Sequence, residues 1–230
     1  GASAIEGGIS EIFVGNILKD DYRDDIYLST KLPGWLVQKK EDLNYYLDEQ
    51  LKRLQTDKID FYLLHGLGVS TWTNLTDMDV LEFLDSAVEE DKIGYAGFSF
   101  HDELKLFKEI VDSYNWSFCQ IQFNYMDQDF QAGKAGLEYA SAKNMGIAIM
   151  EPLRGGCLTN NLPNIWNRAE VKRSPAEWAL SFLWDKPEIN VVLSGMSTME
   201  HVIENVKIAE NGHVNSLSQS EKNLIQEVRE

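Results

Sequence analysis

A lysine and a histidine each close a short apolar run. Lys31 ends DIYLSTK and His65 ends IDFYLLH. A lysine at the tip of an apolar strand is partly desolvated, which shifts its own pKa or a neighbour's. A histidine at such a tip donates a hydrogen bond to a carbonyl or relays a proton. On the residues alone each has a plain alternative: a rim lysine with its stem over apolar neighbours, and a rim histidine satisfied by a backbone carbonyl. Ser99 and Gln120 stand at or near the ends of later runs of the same kind. Two stretches read as anion sites. In Glu151-Pro-Leu-Arg-Gly-Gly, glycine lets the backbone approach an anion and Arg154 offers a planar fork for phosphate. Residues 194–205 (SGMSTMEHVIEN) join a strand end, a small-residue turn and a helix N-terminus, whose N–H groups and dipole favour negative charge. There Ser197 reads as a helix cap that also touches phosphate. Glu204 and Asn205 lie about two turns further in, where a ribose or an adenine would rest. An ordinary turn and ordinary capping are the alternatives for these two stretches.

The elements that must carry these residues alternate. Strand-like runs at 25–31, 59–65, 95–99, 118–123, 146–151 and 191–194 are each followed by a helical pattern, at 41–55, 79–90, 103–114, 134–143, 174–185 and 198–209. Apolar residues in the first of these helices, Leu43, Tyr46, Leu47, Leu51 and Leu54, recur at helical spacing. The run Ile59 to His65 is almost continuously apolar, as a strand covered on both faces should be. Ser174-Pro-Ala-Glu and Ser218-Gln-Ser-Glu are helix starts with serine at the cap and glutamate three residues on. One helix, 10–18, leads the series and another, 218–229, closes it.

Strict alternation implies parallel strands with helices outside. No G-x-G-x-x-G follows the first run, which weakens an open dinucleotide-binding sheet and favours a (β/α)8 TIM barrel. Barrel enzymes work at the C-terminal tips of their strands, where Lys31, His65, Ser99, Glu151 and Ser194 fall. Six strand–helix units plus a leading helix leave such a barrel two strands short. At about 30 residues per unit, roughly 60 residues would precede Gly8 in a longer polypeptide. The expectation is one incomplete barrel domain over 8–230, with 1–7 an expression remnant or junction.

Bulk properties exclude several classes. The 230 residues are 43% apolar, enough for a large core, and carry a net charge of −16, which argues against nucleic acid. No run of about 18 apolar residues suggests a membrane span. The start has no signal-peptide pattern, and two cysteines make no disulfide framework, so a reducing cytoplasm is the expected home. His101, His201 and His213 lack metal-ligand spacing, so no metal is expected. Trp35 and Trp72 fall in loops and are candidates to line a pocket.

Taken in order, STK, DFYLLH, GFS, CQIQFNY, MEPLRGG and LSGMSTMEHVIEN resemble the aldo-keto reductases across the chain from about Gly8 onward. Phrases such as LDEQLKRLQTDKIDFYLLHG are similar to the bacterial branch that carries a ferredoxin-like C-terminal tail. The resemblance implies the aldo-keto reductase type of barrel and NAD(P)H-dependent reduction of an aldehyde or ketone by hydride transfer. It implies Lys31 and His65 as catalytic residues, Lys31 lowering the pKa of a tyrosine acid and His65 orienting the carbonyl. The family's Asp and Tyr would lie ahead of Gly8. It implies Ser99 and Gln120 on the nicotinamide amide, and Pro152, Leu153, Arg154 and Gly155 on the pyrophosphate. Met196, Ser197, His201, Glu204 and Asn205 would hold the adenosine end of NADP(H). Three features depart from the family pattern. Phe100 replaces an asparagine after Ser99, Met150 replaces an aromatic that stacks on nicotinamide, and Gly195 and His201 stand where basic residues meet a 2′-phosphate. Two other readings compete: a cofactor-binding or catalytically degenerate relative, and an unrelated barrel lyase using Lys31 as a Schiff base.

Overall fold

The computed structural model describes residues 8–19, 22–160 and 164–230. Residues 1–7, read from the sequence as a remnant or junction, lie outside the described residues, as do 20–21 and 161–163. The chain divides into two compact units, Gly1–Cys119 and Gln120–Glu230. Six strands follow chain order in one sheet, β1 (Ser29–Leu32), β2 (Ile59–Leu67), β3 (Ile93–Phe100), β4 (Phe118–Gln122), β5 (Gly146–Met150) and β6 (Val191–Val192).

In the first unit β1 pairs with β2 and β2 with β3, all parallel. Helices α1 (Ile9–Leu18), α2 (Glu41–Leu54), α3 (Val69–Asp77), α4 (Val80–Glu89) and α5 (Leu104–Ser113) accompany them. The core is made by the apolar stripes that their spacing dictates: Leu43, Leu47 and Leu54 of α2, Phe83 and Leu84 of α4, and Phe107 and Ile110 of α5 are buried. Helix α1 approaches α2 closely at Gly15, where a Cβ would lie 2.4 Å from the Arg53 carbonyl oxygen. That approach carries Glu11 inside, to 4% exposure.

In the second unit β5 pairs with β6, parallel. Helices α6 (Gly133–Ala142), α7 (Cys157–Asn160), α8 (Pro175–Trp184), α9 (Met199–Glu210) and α10 (Gln219–Arg229) complete it. Both predicted serine caps form: Ser174 accepts from the Glu177 N–H, and Ser218 and Glu221 make a reciprocal capping box.

Several boundaries differ from the sequence expectation: β2 runs past His65 to Leu67, and β3 is longer at both ends, Ile93–Phe100. Strand β1 begins at Ser29, because Tyr22–Asp25 forms a 3-10 turn. The Arg23 side chain ties that turn down, donating to the Ile26 and Lys58 carbonyls and to Asp60. Helix α3 holds Trp72, which the sequence places in a loop. Its segment VSTWTNLTD is rich in threonine and hides the helical period. Thr73 and Thr76 hydroxyls donate to carbonyls four residues back instead. Strand β6 stops at Val192, short of Ser194. Among the described residues no helix is long and apolar enough to cross a membrane.

Candidate active site

The parallel register decides where the first unit's candidates point. Lys31 pairs with Leu63 and Leu63 with Gly97, so the three share one face of the sheet. His65 and Ser99, each two residues on, belong to that same face. Just past His65 the register slips by one residue between Leu64 and Leu67, with Gly66 at φ +62°. Ser99, 1% exposed, accepts the Gly66 N–H on its Oγ at 2.7 Å. The serine that resemblance assigns to nicotinamide thus also pins the bulge beside His65.

Lys31 and His65 line one small cavity of about 190 Å³ with Glu11, Ser29 and Thr30. Burial lowers the Lys31 pKa. Burial, and then the charge of Lys31, bring His65 from 6.5 down to about 4. The imidazole is therefore neutral at physiological pH, with one N–H to donate. The Trp35 ring lies 4.9 Å from the His65 ring, centre to centre. Trp72 sits elsewhere, 6.4 Å from the Trp116 ring. The unfolded chain protonates His65 near pH 6.5 and the folded chain only near pH 4, so stability falls as pH drops through that window. In His65→Gln, acidification from pH 6.5 to 4 should cost less stability than in the wild type, as read by urea unfolding at both ends. An equal cost in both proteins would contradict the neutral, buried imidazole.

In the second unit a cleft of about 720 Å³ opens beside the turn after β5 and the N-terminal part of α9. Pro152, Leu153 and Gly155 line it from the turn, and Ser197, His201, Glu204 and Asn205 from the other side. Arg154 and Met196 are not among its lining residues. Arg154 is held instead by Asp127, Nε to Oδ2 at 3.3 Å. Gln120, on β4, donates through Nε2 to the Met150 sulfur at 3.2 Å.

The turn is wound tightly. Arg154 N–H reaches the Glu151 carbonyl, Gly156 N–H the Leu153 carbonyl and Cys157 N–H the Arg154 carbonyl. Gly155 and Gly156 take φ of +60° and +89°, the left-handed region that glycine enters without steric cost. A Cβ at Gly156 or at Gly195 would meet nothing within 4 Å. Backbone is thus bared toward a cleft of the size that holds cofactors. The turn is braced by Asn124, fully buried, whose Nδ2 donates to the Glu151 carbonyl at 3.1 Å and to Asp127 at 3.0 Å. Its Oδ1 accepts the N–H groups of Met126 and Asp127. Sequence reading missed this brace. The available signal was Asn-x-x-Asp directly after a strand, the pattern of a side chain closing its own turn.

Helix α9 is capped by Thr198, not by Ser197 as the sequence suggests. Thr198 Oγ1 accepts the His201 N–H at 3.3 Å. Thr198 has the extended backbone a cap requires, which leaves Ser197 outside the helix and against the cleft. Asn205 Nδ2 donates to Ser194 Oγ at 2.9 Å, tying α9 to the segment after β6. Thr198→Ala is expected to cost about 1 kcal/mol of stability in urea unfolding. An unchanged midpoint would mean the cap contributes nothing.

A family model described as the aldo/keto reductase family matches residues 6–230. The chain is similar to the uncharacterized oxidoreductase YqkF of Bacillus subtilis (strain 168), at 25% identity over 90% of this chain and 76% of that protein. It is similar in fold to the holo form of aldo-keto reductase AKR11C1 from Bacillus halodurans, with a TM-score of 0.80 at 24% identity, over 96% of this chain and 77% of that one. A Klebsiella pneumoniae aldo-keto reductase in complex with NADPH gives a TM-score of 0.75 at 21% identity, over 97% and 76% of the two chains. With a parallel α/β sheet, a lysine and a histidine on one sheet face and a family match over nearly its whole length, the chain belongs to the aldo/keto reductase family of oxidoreductases.

Proposed function

We propose that the chain reduces a small aldehyde or ketone with a nicotinamide cofactor. The observation that carries this reading is the pairing of a half-buried Lys31 with a neutral His65 on one sheet face. Reduced nicotinamide, when bound, supplies the hydride. His65 donates its N–H to the carbonyl oxygen and fixes the carbonyl's orientation. Lys31 favours negative charge on a neighbouring oxygen and so lowers the pKa of the proton donor, which in this family is a tyrosine. Among the described residues the Lys31 cavity has no tyrosine in its lining.

The second unit is assigned the cofactor. The turn of Pro152, Leu153 and Gly155 would hold the pyrophosphate on bared backbone, and Ser197, His201, Glu204 and Asn205 the adenosine end. Met196 belongs to this segment by family correspondence. Arg154 would reach the phosphates only by leaving Asp127. Ser99 and Gln120 are assigned to the nicotinamide amide. The proposed cofactor is NADP(H). Its support is the Klebsiella relative's NADPH, since Gly195 and His201 offer no strong cation for a 2′-phosphate. The proposed setting is the reducing cytoplasm, in keeping with two free cysteines, Cys119 and Cys157. The test is loss of NADPH absorbance with a panel of aldehydes and ketones. Turnover abolished by His65→Gln supports the reading. Cofactor binding without turnover on any carbonyl supports the degenerate alternative, and neither binding nor turnover overturns both.

A further inference from the structure

Gln50 occupies a place where a polar side chain is costly. It falls on the core stripe of α2 between Leu47 and Leu54 and is 2% exposed. A buried amide keeps its place only if its hydrogen bonds are made. Gln50 makes three. Its Nε2 donates to the Lys31 carbonyl at 2.8 Å and to Glu11 Oε1 at 2.9 Å, and its Oε1 accepts the Tyr62 hydroxyl at 2.8 Å. Glu11 is itself fixed: Thr30 Oγ1 donates to Oε1 and Arg53 Nε to Oε2, each at 2.7 Å.

The Lys31 carbonyl is the backbone group that Gln50 reaches. In a parallel ladder successive carbonyls of a strand face opposite neighbours. The Leu28 carbonyl faces β2, where it accepts the Phe61 N–H. Lys31, three residues on, therefore turns its carbonyl away from β2, and Gln50 meets it there. Thr30, next in sequence, is held from the helix side by Glu11. One residue of β1 is thus gripped through its side chain and the next through its carbonyl, and the second is the residue whose side chain stands beside His65.

The geometry points to Gln50, anchored by Glu11 and Tyr62, as a positioning residue that fixes the β1 backbone so that the Lys31 ammonium stays beside His65. This rests on the reading of Lys31 as a catalytic residue. Gln50 touches no reacting atom and acts only through Lys31.

The test replaces Gln50 by methionine, which keeps the length and removes every hydrogen bond. Lys31 and His65 are titrated by NMR with isotopically labelled lysine and histidine, with no cofactor or substrate present. In Q50M the Lys31 midpoint is expected to rise toward 10.5 as the ammonium moves into solvent, and that of His65 to rise above about 4 by the lesser share that the Lys31 charge contributes beside burial. In the same variant kcat should fall while KM for NADPH holds. Unchanged midpoints in a folded Q50M, with only a lower Tm, would overturn the positioning role and leave Gln50 a stabilising residue. Moved midpoints with unchanged kcat would support the positioning and sink the catalytic reading of Lys31 instead. If Q50M fails to fold, Tyr62→Phe keeps the ring's packing and removes one anchor of Gln50. A smaller shift in the same direction supports the inference, and none overturns it.

Discussion

Lys31→Met is expected to lower kcat for carbonyl reduction by roughly 10²- to 10⁴-fold, the usual worth of a group that drives proton transfer. NADPH affinity should hold, because Lys31 lies in the first unit and the 720 Å³ cleft is lined entirely from the second. Stability gives an independent reading. Burial depresses the Lys31 pKa, so the folded chain holds that proton less well than the unfolded one. At neutral pH, below the unfolded pKa, the charged lysine therefore costs the fold free energy. Removing the charge relieves that cost, and Tm should hold or rise while activity collapses. A variant that lost activity and stability together would point to a structural lysine. Stopped-flow turnover and thermal unfolding of the same preparation separate the two outcomes.

Asn124→Ala should act on the other unit. The substitution strips hydrogen bonds from the Met126 and Asp127 N–H groups and from the Glu151 carbonyl. Leaving a fully buried group unsatisfied costs about 1–3 kcal/mol, and these groups are only partly buried, so a loss near the lower figure is expected in urea unfolding. The Glu151 carbonyl also accepts the Arg154 N–H, at the start of the turn that bares its backbone to the cleft. Loosening it should weaken NADPH binding by roughly tenfold, or about 1.4 kcal/mol. A destabilised variant that bound NADPH with native affinity would show that the turn shapes itself without Asn124.

Much of the fold was legible because it rests on local rules. The apolar run Ile59 to His65 and the stripe of Leu43, Leu47 and Leu54 each named their element and their buried face, and two serine–glutamate pairs named helix starts that form as read. The failures share a cause. Helix α3 has side chains that favour other local geometries, and β1 and β6 are short strands whose ends are decided by neighbours distant in sequence. At the site, Lys31 and His65 could be named from strand tips. That they share a face followed only from the register Lys31 to Leu63. The groups that hold the site stayed hidden, since Gln50 and Glu11 interrupt apolar stripes without revealing their partners 19 and 39 residues away. Arg154 has a partner that residue type did not reveal. Its residue type suggested a phosphate contact, and a carboxylate from another loop holds it.

The cleft between the Glu151–Gly156 turn and α9 is the proposed site of a nicotinamide dinucleotide. Equilibrium titration of NADPH fluorescence against the purified protein tests it most directly. Saturable binding in the micromolar range or tighter is expected, competed by NADP⁺ and weakened by Asn205→Leu, which cuts the tie to Ser194. No change in NADPH fluorescence at high micromolar protein, or binding indifferent to the Asn205 substitution, would contradict it.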